Sequence, residues 1–218
     1  MRGAADVKRP DVVSIGHAKG PEASRVVARG AGWQTSWVFP RRPFVLSGPR
    51  VRLEPLSPDH AEGLWAAADD EVFATLPYDR PPTVQAMGEW IRAALSREAV
   101  RLPFAVVAGR EVAGTTSYWY PDDVRRQVEI GSTWLGRAWW GAGINREAKR
   151  LLLEHAFTEL ACEKVVFRTA PDNVRSQQAL HRLGAVRDGL VRRDWPRGDG
   201  TWRDSVYYSI LRSEWTAG

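Results

Sequence analysis

A glycine-rich turn followed directly by a helical pattern is the strongest chemical signal in this sequence. Residues 139–148 read Trp-Trp-Gly-Ala-Gly-Ile-Asn-Arg-Glu-Ala, and the apolar positions after Gly143 recur with helical spacing. The first N–H groups of a helix lack intrahelical acceptors, and the helix dipole favours an anion there. Gly141 and Gly143 would let the backbone approach phosphate oxygens without a Cβ in the way. The turn therefore predicts a pyrophosphate site, although a strand-to-helix connection without a ligand has the same signature.

A second polar pair stands at the start of another predicted helix. Residues 164–169 have the pattern of a strand, and residues 170–176 then read Ala-Pro-Asp-Asn-Val-Arg-Ser and open a predicted helix over 174–183, which is followed by Gly184. At a helix start, the side chains of Asn173 and Ser176 either bond to nearby backbone or present polar atoms to a ligand. The spacing alone leaves both interpretations open.

The elements that position these residues are predicted from periodicity and from helix caps. Residues 51–55 alternate as a strand, and Ser57-Pro58 has the residue types of an N-cap and first-turn proline for a helix through Ala68. A second helix begins near Thr83. Further strands are predicted at 103–107, 112–118, 125–135 and on both sides of 196–200. The order βααβββαβαββ predicts an α/β protein with a mixed sheet and helices on both faces. The helix over 145–160 should direct inward Ile144, Ala148, Leu151, Leu152, Ala156 and Phe157.

Composition indicates one main domain preceded by a basic segment. The 218 residues are 44% hydrophobic and 26% charged, without a membrane-length apolar run or a signal-peptide core, so we expect a cytoplasmic protein. The net charge of +5 lies in residues 1–43, which hold eight basic and three acidic residues and leave 23 of each for the rest. Glycine, proline and the lack of periodicity predict a disordered leader over 1–43 and a folded domain over 44–218. Some leader residues are expected to dock on that domain, namely Trp33, Trp37, Val38 and Phe39.

Cysteine and histidine spacing favours neither a disulfide nor a metal site. Cys162 is the one cysteine in the sequence, and we expect it to be a buried structural thiol. The histidines fall in the leader or on separate elements, so we predict no metal site. They are His17, His60, His155 and His181.

These motifs give the chain a resemblance to the GCN5-related N-acetyltransferase superfamily (GNAT), in particular to its ribosomal-protein-alanine-acetyltransferase-like branch. The resemblance spans roughly residues 44–215 and rests on Trp-Gly-x-Gly-x-x-x-Glu-Ala at 140–148, on the Asn-x-x-Ser of Asn173 and Ser176, and on the Leu-Gly after the last helix. The superfamily usually has Gln or Arg where this chain has Ala138, which matters little if backbone N–H groups bind the phosphates. The resemblance implies the acyl-CoA N-acyltransferase fold. In that fold two central parallel strands, here 127–135 and 164–169, splay apart, and the pantetheine arm pairs with the first.

The same resemblance implies roles for individual residues. A backbone N–H near Trp134 or Leu135 would polarise the thioester carbonyl, and Glu129 in the Glu-Ile-Gly strand is the candidate general base. Ser176 is the candidate partner of the departing thiolate. At the acceptor side we expect Asp204 and Tyr120. The implied cofactor-binding residues are Trp134, Leu135, Trp140, Gly141, Ala142, Gly143, Ile144, Asn145, Asn173 and Ser176.

Two features complicate this assignment. Ser132-Thr133-Trp134-Leu135 stands where three residues are usual between Glu-Ile-Gly and the turn. One extra residue reverses side-chain parity unless a bulge absorbs it, and Glu129 would then be a solvated or salt-bridged carboxylate. Arg146 and Lys149 are either within reach of a terminal phosphate or ordinary charges on the helix surface.

The sequence thus predicts an enzyme that moves an acetyl group from acetyl-CoA to a primary amine, of a protein N-terminus or a small molecule, by direct transfer in a ternary complex. A CoA-binding sensor without turnover is the alternative. A weaker one is an RNA- or partner-binding role for the basic leader, for which a solvated extension is the favoured reading. The sequence does not specify the acceptor, the acyl chain, or the choice between monomer and homodimer.

Overall fold

The computed structural model describes residue 39 and residues 44–74, 76, 78–98, 100–197 and 200–216. The chain divides into units of residues 1–36 and 37–218, and all described residues lie in the second. The leader prediction therefore falls outside the described residues, except for Phe39. None of the helices in the described part has the length and apolar character needed to cross a bilayer.

The strands are β1 (Leu46–Ser47), β2 (Val51–Pro55), β3 (Arg101–Ala108), β4 (Glu111–Asp122), β5 (Gln127–Leu135), β6 (Lys164–Thr169), β7 (Val186–Pro196) and β8 (Trp202–Leu211). The α-helices are α1 (Ala61–Ala67), α2 (Asp70–Phe73), α3 (Val84–Leu95), α4 (Ile144–Thr158) and α5 (Val174–Leu183).

The predicted order is confirmed, with two short additions, β1 and α2. A separate α2 forms because the Asp69 side chain accepts a hydrogen bond from the Val72 N–H at 2.9 Å and caps a new helix after α1 ends. Thr83 caps α3 in the same way, through the Ala86 N–H at 3.1 Å. The predicted first helix begins with a 3₁₀ turn over Pro58–His60, and α1 follows it.

The sheet is mixed and, among the described strands, contains one parallel pair. The strand order is β1-β2-β3-β4-β5-β6-β8-β7, with every described pair antiparallel except β5 and β6. These two strands pair only from Gln127↔Lys164 to Glu129↔Val166. Beyond Glu129, β5 stays with β4, whereas β6 stays with β8 as far as Thr169. The two strands therefore separate toward their carboxyl ends, as the resemblance implied.

Two apolar cores cover the two faces of the sheet. One contains α4 and α5 residues such as Leu152 and Leu180 together with Val128 and Ile130 of β5. The other contains α1, α2 and α3 residues together with Trp134. The inward set predicted for α4 is correct except at Leu151, which is only partly buried, while Lys149 and Leu153 are buried on the same helix. The buried arc of α4 is thus wider than the periodicity suggested and includes a charged residue.

A β-bulge in β5 absorbs the extra residue identified in the sequence. Thr115 pairs with Trp134 and Ser117 with Gly131, so Ser132 and Thr133 together oppose one residue of β4. Ser132 has the left-handed φ of +48°, which is how the backbone accommodates the additional residue. After the bulge, Trp134 packs against the α1–α3 core. Glu129 precedes the bulge, so the extra residue does not change the direction of its side chain. That side chain lies on the sheet face opposite to the face of its buried neighbours Val128 and Ile130.

Candidate active site

The glycine turn before α4 has the open geometry that an anion would need. Gly143 is the N-cap of α4 with φ of +80°, and Gly141 has φ of +75°, so both occupy the left-handed region that favours glycine. A Cβ at Gly141 would meet no atom within 4 Å, whereas one at Gly143 would lie 2.9 Å from a guanidinium nitrogen of Arg50. The space above Gly141 is therefore free for a ligand, and a cation lies beside Gly143.

Arg50 is held at the turn by Glu147 of α4. Its Nε donates to Glu147 Oε2 at 2.9 Å and its Nη1 to the Ala142 carbonyl at 2.9 Å. Glu147 Oε1 also accepts from the backbone N–H groups of Arg50 and Val51. Burial raises the pKa of Glu147, but these hydrogen bonds outweigh it and lower the pKa overall. Sequence reasoning missed Arg50, because it reaches the turn from the loop between β1 and β2.

The turn and the start of α5 meet across the opening between β5 and β6. The guanidinium of Arg175, in the first turn of α5, lies 3.5 Å from the centroid of the Trp140 ring. The Trp140 indole N–H donates to the Leu135 carbonyl at 2.8 Å, which fixes the ring against the end of β5. The structure thus brings the predicted phosphate turn close to the Asn-x-x-Ser helix.

Of the two polar side chains at the start of α5, that of Asn173 bonds to nearby backbone and that of Ser176 is available to a ligand. Asn173 Oδ1 accepts from the Ser176 N–H at 3.0 Å and caps α5, so its side chain serves the local structure. The Ser176 hydroxyl is partly exposed and has no hydrogen-bond partner among the described residues. It is therefore free to interact with a ligand. Four residues further along α5, Leu180 is buried in the core and offers no proton.

Four of the predicted cofactor-binding residues can offer a ligand little besides their backbone N–H and carbonyl groups. Trp134, Leu135 and Ile144 are buried in the cores, so only their peptide groups can face the opening between β5 and β6. Ala142 offers its carbonyl, which Arg50 already occupies. Asn145 has a side-chain Oδ1 that is buried without a partner among the described residues, at the start of α4. The Nε1 of Trp134 is also buried without a partner there, but the ring lies in the α1–α3 core.

Glu129 belongs to a charged cluster on the sheet face opposite α4. Its Oε1 lies 3.3 Å from Arg168 Nη2, and Arg168 Nη1 lies 3.2 Å from Asp194 Oδ2. The Tyr207 hydroxyl donates to Asp194 Oδ1 at 2.9 Å. Aromatic rings enclose the guanidinium of Arg168, with the Trp195 centroid at 4.6 Å and the Tyr120 centroid at 5.9 Å.

Comparison with known proteins decides the family. The family model of the acetyltransferase (GNAT) domain matches residues 50–186. The chain is 31% identical over 121 residues to the uncharacterized N-acetyltransferase p20 of Bacillus licheniformis, covering 56% of this chain and 67% of that protein. It is 30% identical over 84 residues to the ribosomal protein uS5 alanine N-acetyltransferase of Escherichia coli K12, a match that covers 38% of this chain and 43% of that protein. A crystal structure of a GCN5-related N-acetyltransferase from Brucella melitensis superposes with a TM-score of 0.75 at 28% identity. The superposition covers 81% of this chain and 82% of that chain.

The chain belongs to the GNAT acetyltransferase family. Its match to the E. coli alanine acetyltransferase spans less than half of that protein. The match therefore does not identify the amine acceptor of this chain.

Burial sets the protonation behaviour of the charged cluster in this GNAT domain. Burial raises the pKa of Glu129, and the opposing effect of Arg168 does not cancel it. Burial also raises the pKa of Asp194, but hydrogen bonds and the charge of Arg168 outweigh it and lower the pKa overall. Burial together with the hydrogen bond to Asp194 raises the pKa of Tyr207 to about 12. Glu129 is thus the carboxyl of the pair that more readily accepts a proton.

Asp204 is not brought together with Glu129. Its Oδ1 accepts from the Arg193 N–H at 2.8 Å, in a shallow concavity formed with Arg192. Alternation along β8 places Asp204 on the face of Val206, which packs in the α4 core, and opposite to the face of Tyr207. Asp194 is the acidic residue of the neighbouring strand that reaches the cluster. Tyr120, by contrast, lies beside the cluster, with its ring centroid 5.9 Å from the Arg168 guanidinium.

The cysteine and two of the histidines considered in the sequence have contacts typical of structural residues. Cys162 is buried, and burial raises the pKa of its thiol to about 12, as expected for a structural cysteine. His155 Nδ1 lies 3.3 Å from the Tyr118 hydroxyl, and His60 Nε2 lies 3.2 Å from Glu54. Within the described ranges, no group of three or more His, Cys, Asp or Glu side chains could hold a metal ion.

Proposed function

We propose that this GNAT domain transfers an acetyl group from acetyl-CoA to a primary amine, with donor and acceptor bound at the same time. The observation that carries the proposal is the separation of β5 from β6 beyond Glu129, with the glycine turn at the end of β5 and the charged cluster on the sheet face opposite α4. A donor can enter from the α4 side, and an acceptor can approach from the other face.

The residues around the turn fit the phosphates of acetyl-CoA. The free space at Gly141 admits phosphate oxygens, and the exposed guanidinium groups of Arg50 and Arg175 flank it. Beyond the turn, the buried and unpartnered Asn145 Oδ1 offers an acceptor for an amide N–H of the pantetheine arm. When bound, acetyl-CoA supplies the activated acetyl thioester.

Glu129 is suited to hold the proton that the amine must lose. An amine attacks only when it is deprotonated, and a carboxylate whose pKa is raised accepts that proton more readily than an ordinary glutamate. Arg168 lies on one side of this carboxylate, which fixes its position. The ion pair also gives Glu129 a structural interpretation, and pH-dependent kinetics separate the two.

Ser176 is suited to hydrogen-bond the departing sulfur. Its hydroxyl stands at the start of α5 without a partner among the described residues, and Asn173 fixes the backbone beneath it. A free hydroxyl can donate a proton or a hydrogen bond to a developing thiolate.

For the acceptor we propose the amino group of a protein N-terminus or of a small molecule. The relative from E. coli acts on an alanine of ribosomal protein uS5, which supports a protein N-terminus. The exposed ring of Tyr120, which packs beside Trp119 with ring centroids 5.3 Å apart, offers a face to a cationic amine before it is deprotonated.

A panel of amines tests the function. Alanine- and serine-starting peptides, free amino acids, polyamines and aminoglycosides are each incubated with the full-length protein and acetyl-CoA or succinyl-CoA, and free thiol release is measured. Amine-dependent thiol release with acetyl-CoA is the expected result. Binding of acetyl-CoA without thiol release for any amine would instead favour a CoA-binding sensor.

A further inference from the structure

Lys149 is a buried cation of α4 that the proposed chemistry does not yet use. Only 8% of its surface is exposed. Its Nζ lies 3.3 Å from Thr133 Oγ1, in the bulge of β5, and Thr133 Oγ1 lies 2.8 Å from Thr116 Oγ1 on β4. The ammonium therefore reaches the part of β5 that has separated from β6. Its burial contradicts the expectation of an ordinary surface charge, whereas a contact with a terminal phosphate stays a prediction.

The ammonium has fewer acceptors than it needs. An ammonium carries three N–H donors, and Thr133 is its only hydrogen-bond partner among the described residues. The groups placed near it are uncharged: Thr133 of β5 accepts its hydrogen bond, Thr116 of β4 lies behind Thr133, and Asn145 precedes it by one turn of α4. Glu147, the acidic residue of that turn, is paired with Arg50. Burial alone lowers the pKa of Lys149 to about 8, so the group is still mostly charged at neutral pH. A buried charge with unfilled donors is costly unless a ligand completes its shell.

Asn145 supplies the second, independent observation. It precedes Lys149 by one helical turn, on the same face of α4, and its Oδ1 is buried without a partner among the described residues. One turn separates the two positions by roughly 6 Å along the axis. Between the glycine turn and the bulge, α4 thus presents an unused acceptor and then an unused donor. The pantetheine arm of a CoA thioester carries two successive amides, each with one N–H and one carbonyl.

We propose that the Lys149 ammonium donates a hydrogen bond to an amide carbonyl of the pantetheine arm, one helical turn beyond an amide N–H bound by Asn145. This inference rests on the proposed function, since it requires the acyl donor to lie between β5 and β6. It makes Lys149 a positioning residue that fixes how far the arm enters the opening.

Binding of three ligands to Lys149→Met tests the proposal. The ligands are acetyl-CoA, CoA, and adenosine 3′,5′-bisphosphate, which has phosphates but no pantetheine arm. The variant should bind acetyl-CoA and CoA roughly 10-fold to 100-fold more weakly, because a hydrogen bond from a charged donor is lost, and should bind the bisphosphate as the wild type does. Arg146→Met is the matched control, because it removes an exposed cation from the same helix. It should change the affinity for all three ligands by one common factor.

Each other outcome overturns the proposal. An equal loss for the bisphosphate would mean that Lys149 acts only through its charge on the phosphates. A loss confined to acetyl-CoA would assign the ammonium to the acyl carbonyl instead. Unchanged affinities for both arm-bearing ligands would leave Lys149 without a binding role. If the wild type itself does not bind acetyl-CoA, the proposed function fails, and with it this inference.

A second measurement needs no variant and so does not depend on how Lys149→Met folds. A carbonyl acceptor favours the charged form of Lys149, so acetyl-CoA should raise its pKa above about 8 and binding should take up a fraction of a proton near that pH. Titration calorimetry in buffers of different ionisation enthalpy measures this uptake. The phosphates of acetyl-CoA are already fully ionised there and do not contribute. Proton release, or no exchange, contradicts the proposal.

Discussion

At the scale of single residues, two opposing forces act on the Glu129 carboxylate. Burial on the sheet face favours its neutral form, while Arg168 at 3.3 Å favours its charged form, and burial has the larger effect on the pKa. Arg168 also serves Asp194, so its charge is shared between two carboxylates. Glu129 is therefore held in place by an ion pair yet still able to accept a proton.

The first prediction concerns the pH dependence of Glu129→Gln. If Glu129 receives the ammonium proton, its loss matters most where the amine is still protonated. Turnover should fall most near neutral pH and recover as the pH approaches the pKa of the amine. The wild type should lose activity as the pH falls through the raised pKa of Glu129, because the protonated carboxyl cannot act as a base. Wild-type rates for Glu129→Gln at every pH would remove Glu129 as the base.

Ser176→Ala should behave differently, because the hydroxyl serves the leaving group. Turnover should fall at all pH values, by roughly 10-fold to 1000-fold, with CoA affinity nearly preserved. Steady-state kinetics over pH, together with CoA titration, make the comparison. A selective loss of CoA affinity would show that Ser176 binds the cofactor and takes no part in the chemistry. The comparison requires that chemistry limits the rate.

At the scale of elements, the bulge of β5 and the glycine turn act together. The bulge gives β5 one extra residue and places Thr133 toward α4, where it meets Lys149. The turn then begins α4 with two glycines in the left-handed region. Trp140 ties these parts together through the Leu135 carbonyl and stacks beneath Arg175 of α5. Strand, turn and both helices thus define one opening.

Gly141→Leu and Gly184→Leu form a matched pair that tests the turn. Both glycines have left-handed φ angles, +75° and +93°, and a Cβ at either would meet nothing within 4 Å. Both substitutions should therefore cost a similar backbone strain, roughly 1–2 kcal/mol of unfolding free energy. Only Gly141→Leu should abolish acetyl-CoA binding, because its side chain fills the proposed phosphate site. Calorimetry on both folded variants decides, and equal affinities would refute the phosphate assignment.

At the scale of the whole molecule, the sheet is held between two cores, and a residue ahead of the predicted domain boundary contributes to one of them. Phe39 is 4% exposed and packs edge-on against Tyr118, with ring centroids 5.7 Å apart. Tyr118 in turn donates to the Leu152 carbonyl of α4. The segment predicted as leader thus includes at least one core residue.

Two truncations should therefore differ. Removing residues 1–36 should leave the melting temperature and the acetyl-CoA affinity unchanged, because the composition of this segment predicts disorder. Removing residues 1–43 also deletes Phe39 and should cost about 3 kcal/mol, or roughly 6–12 °C in melting temperature. Phe39→Ala in the full chain is the control and should account for most of that loss. Equal melting temperatures for both truncations would show that Phe39 contributes nothing to stability.

The sequence by itself determined the features that depend on neighbouring residues. The bounds of β6 and α5 are as predicted, and the glycine turn stands where the spacing placed it, because periodicity, caps and left-handed glycines act within a few residues. The family was also readable from these local motifs. The bulge of β5 was visible as one surplus residue, but not the way in which it would be absorbed.

Tertiary structure alone decided which charged groups meet. Arg168, Asp194 and Tyr207 join Glu129 only through the pairing of β6 with β8 and of β8 with β7. The register of that last pair shifts between Val191 and Trp195, and so Asp194 reaches the cluster while Asp204 lies on the other face. Arg50 reaches the turn from the far edge of the sheet, and Lys149 is buried by the way α4 crosses β5. Such contacts depend on register and packing between distant segments, which the local pattern of residues does not encode.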